Sequence, residues 1–73
     1  MRGGKYAMAY RIGSQHAYAG RPMWDTLGED SALLMTELGE TTPTTARNQG
    51  FRAVLCDCYE DGYYAARSAL GRA

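Results

Sequence analysis

The feature that most constrains the fold of this chain is a pattern of aromatic and small residues that occurs twice. A tyrosine, a glycine and an alanine recur at the same spacing near both ends, at Tyr10, Gly13 and Ala17 and again at Tyr59, Gly62 and Ala66. At this spacing the three residues share one face of an α-helix. Glycine and alanine on that face allow two backbones to approach closely. The repeat therefore predicts two helices that pack against each other through these small residues.

The second copy lies in residues 43–70, a stretch that is typical of one long amphipathic helix. Thr42 is the expected N-cap, and Pro43 suits the first helical position because its missing N–H has no partner there. The expected apolar stripe consists of Phe51, Leu55, Cys58, Gly62, Ala65 and Ala69, widened by Val54, Tyr59, Ala66 and Leu70. Gly71 is expected to close the helix.

The first copy lies in residues 5–20, where the pattern is ambiguous. Bulky residues alternate with smaller or charged ones in its first half, at Tyr6, Met8, Tyr10 and Ile12. Such alternation is typical of a strand. Related copies should share a conformation, however, so we predict a helix over 5–20, preceded by a frayed end at 1–4. A strand at about residues 5–12 is the alternative.

The middle of the chain is predicted to hold a loop and a short helix. Arg21 and Pro22 end the first helix, because the residue before a proline is disfavoured in the helical region. A helix from Asp30 to Leu38 follows, with Asp30 as its N-cap and Gly39 as its C′ residue. The loop and this helix are expected to share an apolar side formed by Trp24, Leu27, Leu34 and Leu38.

These elements predict an all-α fold, a small helical hairpin with a short third helix, in one domain over residues 1–73. The long C-terminal helix is expected to pack antiparallel on the N-terminal helix. A chain of 73 residues buries little surface. A homodimer is therefore expected to enlarge the core.

Charge is segregated along a chain whose formal net charge is zero. Residues 1–21 carry only basic side chains, at Arg2, Lys5, Arg11 and Arg21. Residues 22–40 carry only acidic ones, at Asp25, Glu29, Asp30, Glu37 and Glu40. We expect the acidic middle to fold against the basic start. The balance argues against a protein held on nucleic acid by charge alone.

The sequence contains no apolar run long enough to cross a membrane. Its N-terminus also lacks the apolar core of a signal peptide. We therefore expect a cytoplasmic protein with reduced thiols and no membrane partner.

No catalytic residue, cofactor or metal site is predicted. On a helix, Cys56 and Cys58 would point about 200° apart, so they cannot share a metal ion or form a disulfide with each other. Cys58 is expected in the core. His16 is the only histidine, and no nucleophile or acid is spaced to make it a general base. We expect it to face solvent or to form a hydrogen bond, and an enzyme is the class with the least support.

Two groups of residues are predicted to contact a partner. The first group comprises Arg21, Tyr63, Tyr64 and Arg67. Tyrosine beside arginine is typical of interfaces and can also stack on RNA bases. The second group forms one acidic helix face, made of Asp57, Glu60 and Asp61. We interpret it as a solvated surface that can meet a basic partner, because carboxylates need a dry pocket for acid–base catalysis.

The run from Ala9 to Arg21, AYRIGSQHAYAGR, resembles the first helix of ribosome modulation factor proteins, which are small helical proteins of bacteria and phages. His16 replaces an alanine of that pattern. The segment from Tyr59 to Ala66, YEDGYYAA, is similar to their second helix, with tyrosine in place of tryptophan. In that family a short linker joins the helices, and here an acidic insert of about residues 22–50 takes its place. The resemblance implies a helical pair that docks on ribosomal RNA through Arg2, Lys5, Arg11 and Arg21.

Three functional hypotheses follow, all of them non-enzymatic. The first is a regulator that modulates a large assembly by binding to the ribosome. The second is a phage or plasmid inhibitor of a host defence complex, of the anti-CRISPR type, which acts by protein–protein contact through its acidic faces. The third is a dimeric structural module. The expected partner is thus a large protein or ribonucleoprotein assembly, or a second copy of the chain.

Overall fold

The computed structural model describes residues 4–40 and 46–71, and over these residues the chain forms three α-helices and no strand. They are α1 (Gly4–Tyr18), α2 (Asp30–Glu37) and α3 (Ala46–Gly71). The all-α prediction is therefore confirmed, and the alternative strand at 5–12 is wrong because α1 covers those residues. The predicted cap at Thr42 and Pro43, and most of the expected frayed end, lie outside the described residues.

α3 runs in the same direction as α1, which corrects the predicted antiparallel arrangement. Near the starts of the two helices, the rings of Tyr6 and Phe51 meet edge to face with their centroids 5.7 Å apart. Near the ends, Ala17 of α1 packs with Tyr63 and Ala66 of α3. An antiparallel pair would have brought the start of one helix to the end of the other.

α2 makes this parallel pair possible because it carries the chain back to the start of α1. Glu40, which follows α2, forms a salt bridge with Lys5 in the first turn of α1, with a distance of 2.9 Å between Nζ and Oε2. A short turn would force neighbouring helices to be antiparallel, whereas a connection that contains its own helix does not. At this point the acidic middle of the chain does fold against its basic start.

α1 ends in a Schellman motif centred on Gly20. The Arg21 N–H donates to the His16 carbonyl at 2.9 Å, and the Gly20 N–H donates to the Ala17 carbonyl at 3.0 Å. Gly20 has a φ of 72°, which a residue with a side chain rarely adopts. The last helical residue is therefore Tyr18, two positions before the predicted end.

α2 ends in the same way but starts differently from the prediction. Gly39 is its C′ residue, with a φ of 70°, and the Glu40 N–H donates to the Met35 carbonyl at 2.9 Å. Asp30 was predicted to be the N-cap, and this is wrong. It is the first helical residue, and its carboxylate accepts the Asp25 N–H at 2.9 Å instead of a helix N–H.

The core lies where α1, α2 and α3 meet. Its buried members are Ala9, Leu34, Met35, Leu38, Leu55, Cys56 and Tyr59. Trp24 from the loop is half-buried against this cluster, as predicted, but Leu27 is 99% exposed and does not join it. Leu27 lies on a turn closed by the Gly28 N–H and the Asp25 carbonyl, and that turn points away from the core.

The buried face of α3 is rotated relative to the predicted stripe. Its buried positions are Leu55, Cys56, Tyr59, Gly62, Tyr63 and Ala66, whereas Val54, Ala65, Ala69 and Leu70 are exposed. The reason is that α2 and the loop around Trp24 cover α3 beside α1, which turns Cys56 and Tyr63 inward. Over the described residues, no helix combines the length and apolar character needed to cross a membrane.

Candidate functional site

The two glycines of the repeat lie at the crossing of α1 and α3. A β-carbon added at Gly13 would come within 2.9 Å of the carbonyl carbon of Tyr59, and one added at Gly62 within 2.8 Å of the carbonyl carbon of Tyr10. The contact is reciprocal, because each glycine faces the tyrosine of the other copy. Real β-carbons do not approach backbone atoms this closely, so only glycine fits either position.

Ser14 adds a polar contact to this crossing. Its hydroxyl lies 3.1 Å from the Tyr10 carbonyl of its own helix and 3.2 Å from the Gly62 carbonyl of α3. The ring of Tyr10, by contrast, is 45% exposed. Tyr10 therefore takes part in the predicted helix packing through its backbone, while its side chain lies on the surface.

A buried aromatic cluster joins the end of α1 to the loop and to α3. The ring of Trp24 stacks on Tyr59 with centroids 5.6 Å apart, and it meets His16 edge to face at 4.6 Å. The Tyr59 hydroxyl accepts the backbone N–H of Trp24 at 3.0 Å and lies 2.7 Å from Nδ1 of His16. Since the oxygen already accepts one hydrogen bond, its own proton can be donated to His16.

This arrangement favours a neutral His16 with Nδ1 as the acceptor. Burial lowers the pKa of His16 from its usual value of 6.5, and the positive charge of Arg21 lowers it further, while Glu37 opposes the shift. Burial raises the pKa of the Tyr59 phenol, with smaller contributions in the same direction from Tyr63 and Asp30, while the hydrogen bond from the Trp24 N–H and the charge of Arg21 oppose the shift. Both groups are thus held neutral. The cluster connects α1, the loop and α3 through hydrogen bonds and ring contacts.

Tyr63, predicted to contact a partner, is instead buried and acts as a support. Its hydroxyl donates to the Arg21 carbonyl at 2.5 Å, and its ring lies beneath the guanidinium of Arg67, 6.0 Å from centroid to Cζ. Only 4% of the residue is exposed. Tyr63 is buried because it lies one helical turn after Tyr59, on the face that α1 and the loop cover.

The other three residues of that predicted patch are exposed at the same end of the molecule. Arg21 and Arg67 both contact Tyr63, and the ring of Tyr64, 57% exposed, meets Tyr63 edge to face at 6.3 Å. We call this surface the arginine end, defined by Arg21, Tyr64 and Arg67. Beside it, a shallow groove of about 470 Å³ runs between the final turns of α1 and α3, along Ala17, Gly20, Leu70 and Gly71.

The acidic residues of α3 do not behave as one uniform face. Asp57 and Asp61 are exposed, whereas Glu60 is half-buried and accepts a hydrogen bond from the Thr26 hydroxyl of the loop. Asp57 and Glu60 line a groove between α2 and α3, and Asp61 does not. The predicted group is thus divided between a groove wall and open surface.

The cysteines also differ from expectation. Cys58, predicted to lie in the core, is only half-buried, and Cys56 is the buried one. Neither cysteine of this part of the chain forms a disulfide. Within the described ranges no three residues of the types that bind metals are grouped to hold an ion.

Two of these features could have been found in the sequence. His16 lies three positions after Gly13 and seven after Ala9, so helical spacing places it on the packed face of α1. Tyr63 lies four positions after Tyr59, so the same spacing places it on the packed face of α3. The signal was therefore present, but tyrosine and histidine are less often buried than aliphatic residues.

Comparison of the chain with protein-family models, curated proteins and solved structures found no match.

Proposed function

We propose that the protein is a non-enzymatic binding protein that modulates a larger macromolecular assembly, and that it acts as a ribosome-associated regulator whose arginine end contacts RNA. The observation that carries this proposal is the convergence of two arginines on one buried ring. Tyr63 holds the backbone of Arg21 through its hydroxyl and the guanidinium of Arg67 through its face.

The chemistry of the arginine end suits an RNA partner. A guanidinium group can bind phosphate with two parallel hydrogen bonds and can stack on a base. Exposed tyrosine is a stacking platform for unpaired bases, and Tyr64 offers such a ring beside the two arginines. Because Arg67 is already held over Tyr63, it loses less side-chain freedom on binding than a free arginine would.

The resemblance to ribosome modulation factor proteins supports the same partner, with one change in the residues involved. Lys5 forms a salt bridge with Glu40, so its charge is partly compensated. Arg2 lies outside the described residues. Arg11 and Arg21 are exposed. The RNA-binding set is therefore proposed to consist of Arg21 and Arg67, with Arg11 on the outer face of α1 as a weaker contributor.

Co-sedimentation with purified ribosomes tests this function. The full chain should pellet with ribosomes at about 50 mM salt and be released at about 500 mM, since phosphate contacts weaken steeply with salt. The double variant Arg21→Gln/Arg67→Gln should lose most of this binding and reduce the log–log salt slope by about 2. Arg11→Gln removes an exposed charge from the middle of α1 and should cost less. A chain that stays in the supernatant at low salt would refute the proposal.

A second candidate is a protein-directed inhibitor of a host defence complex. The exposed carboxylates of Asp57 and Asp61 favour it, because they offer negative charge to a basic protein surface. An affinity pull-down with nuclease-treated and untreated arms separates the two candidates. Recovery of a nuclease complex in both arms favours the inhibitor, and ribosomal recovery favours the first. Recovery of the chain alone in both arms would indicate a homodimeric structural module. Both of the first two candidates place the protein in the cytoplasm.

A further inference from the structure

α2 and α3 leave an open groove between them, on a different side of α3 from the contact with α1. The groove has a volume of about 250 Å³. Its floor is formed by the buried Met35 of α2 and Cys56 of α3, and the exposed Ala53 lies at its edge. We call it the α2–α3 groove. A space of this size is below the usual range of pockets for drug-sized ligands and suits the insertion of a side chain.

A fully exposed leucine stands at the rim of this groove. Leu27 lines the groove, yet 99% of the residue is exposed. Its position is fixed by the turn that carries it, since its N–H donates to the Asp25 carboxylate at 3.1 Å and the Gly28 N–H donates to the Asp25 carbonyl at 3.1 Å. An apolar side chain held in water by an ordered turn is the kind of residue that a protein partner buries.

The residues around the groove are mainly acidic. Asp57 and Glu60 line the α3 wall, together with the cation Arg52. The loop and the start of α2 carry further carboxylates, at Asp25, Glu29 and Asp30, which are close in sequence to the lining residues Leu27 and Ser31. Among the described residues that line the groove, two carboxylates therefore stand against one cation. An anionic partner, including nucleic acid, would be repelled here.

The floor of the groove is apolar and uncharged at neutral pH. Burial raises the pKa of the Cys56 thiol, and the nearby carboxylates of Glu60 and Asp57 raise it further. The thiol thus stays protonated and resembles a small apolar side chain. An apolar floor with an acidic rim is the arrangement expected for a contact with a cationic, partly apolar segment.

We infer that the α2–α3 groove binds a basic segment of a partner protein, which inserts one apolar side chain beside Leu27 and Ala53. Lysine or arginine residues on either side of that anchor then face Asp57 and the carboxylates of the loop. Charge complementarity indicates the class of occupant, and the apolar floor of the groove accounts for the apolar anchor. This surface is distinct from the arginine end, so the inference goes beyond the RNA contact proposed above.

A synthetic peptide provides the probe. It is a fluorescein-labelled peptide of about 12 residues in which leucines at helical spacing alternate with lysines. Two matched peptides replace every lysine with glutamate or every leucine with serine. Fluorescence anisotropy with the full chain should show saturable binding of the leucine–lysine peptide, at least tenfold weaker binding of the serine peptide, and none of the glutamate peptide.

Variants locate the site. Ala53→Trp fills the groove from an exposed position, and Leu27→Ser removes the apolar rim, so each should weaken binding about tenfold or more. Asp57→Asn removes a carboxylate from the groove wall and should weaken binding about threefold to tenfold. Asp61→Asn makes the same charge change outside the groove and should leave binding nearly unchanged. Circular dichroism and thermal melts confirm that each variant folds.

Three results would overturn the inference. The first is equal weakening by Asp57→Asn and Asp61→Asn, which would show general charge attraction. The second is unchanged binding to folded Ala53→Trp. The third is self-association of the chain, measured by light scattering and abolished by Leu27→Ser, which would assign the groove to a second copy. The Arg21→Gln/Arg67→Gln variant should bind the peptide normally, so failure of the RNA proposal does not affect this test.

Discussion

Gly13 of α1 lies directly against the main chain of Tyr59 in α3. A β-carbon at position 13 would come within 2.9 Å of both the Tyr59 carbonyl carbon and the Tyr63 nitrogen. Gly62 makes the equivalent contact with Tyr10. Two backbones that meet in this way have no flexible side chain to move aside, so an added methyl group must push the helices apart.

Replacement of either glycine by alanine should therefore destabilise the protein. Alanine favours a helix by up to about 1 kcal/mol over glycine, but overpacking at a tight contact costs about 1–3 kcal/mol. We expect Gly13→Ala and Gly62→Ala each to lower the free energy of unfolding, measured by urea denaturation, by about 1–2 kcal/mol. Leucine at either position should be worse.

Gly50 provides the matched control for this prediction. It lies in the same helix as Gly62, is exposed, and has nothing within 4 Å of an added β-carbon. Gly50→Ala should thus raise the free energy of unfolding by up to about 1 kcal/mol. If Gly13→Ala and Gly50→Ala shifted stability by the same amount and sign, the close crossing would not exist in solution.

The same contact shows why the sequence could predict the crossing but not the direction of α3. The pairs Gly13–Tyr59 and Gly62–Tyr10 are symmetric about the crossing, so they form equally well in a parallel and an antiparallel pair. The contacts away from the crossing decide the direction, above all that of Tyr6 with Phe51. The return path through α2 is long, and no local pattern specifies where it leads.

The candidate surfaces were predicted in part for a similar reason. Arginine and tyrosine identified Arg21, Tyr64 and Arg67 as a group, but which of two adjacent tyrosines is buried depends on the rotation of α3. That rotation is set by the loop and α2, which cover Tyr63 and Cys56. The α2–α3 groove could not be predicted at all, since it depends on how α2 lies across α3.

Tyr59→Phe should destabilise the protein although the ring is retained. The Tyr59 hydroxyl accepts the Trp24 N–H at 3.0 Å and pairs with His16 at 2.7 Å, and the residue is fully buried. Phenylalanine leaves both partners without this oxygen, and a buried polar group that loses its hydrogen bond costs about 1–3 kcal/mol. Thermal and urea melts should show the loss, together with a change in the fluorescence of the only tryptophan.

Tyr64→Phe makes the same chemical change five residues further on, at an exposed ring. It should alter the free energy of unfolding by no more than about 0.5 kcal/mol. Equal stability of the Tyr59→Phe and Tyr64→Phe variants would mean that the hydroxyl of Tyr59 is not buried in the cluster.

Stability should fall as the pH drops below about 6.5, because His16 is held neutral in the folded protein. Its pKa is lowered in the folded state, so below 6.5 the unfolded chain binds a proton that the folded chain resists. The free energy of unfolding then decreases with falling pH, with a slope of at most about 1.4 kcal/mol per pH unit from this one group. Urea denaturation measures this pH dependence of the free energy of unfolding. It is carried out at pH 7.5, 6.5, 5.5 and 5.0, roughly the range in which histidine titrates.

His16→Gln isolates this contribution, since glutamine does not titrate. The variant is expected to be less stable at pH 7.5 but to lose less stability between pH 6.5 and 5.0 than the parent. NMR titration of the parent histidine should give a pKa below 6.5. A pKa above that value, or parallel pH profiles for parent and variant, would contradict a neutral buried His16.

Lys5 and Glu40 should be energetically coupled, because their salt bridge ties the end of the α2 return path to the start of α1. The distance from Nζ to Oε2 is 2.9 Å, and the side chain of Glu40 is 6% exposed while that of Lys5 is 40% exposed. Lys5→Met removes the cation and leaves the carboxylate buried, which should cost about 1–3 kcal/mol. The double variant Lys5→Met/Glu40→Leu should recover part of that loss. A double-mutant cycle by urea denaturation should give a coupling of at least about 0.5 kcal/mol.

Arg11→Met provides the control, because it removes an exposed cation from the same helix. It should change the free energy of unfolding by less than about 0.5 kcal/mol. Independent effects of the two single changes would show that the salt bridge does not hold this junction together.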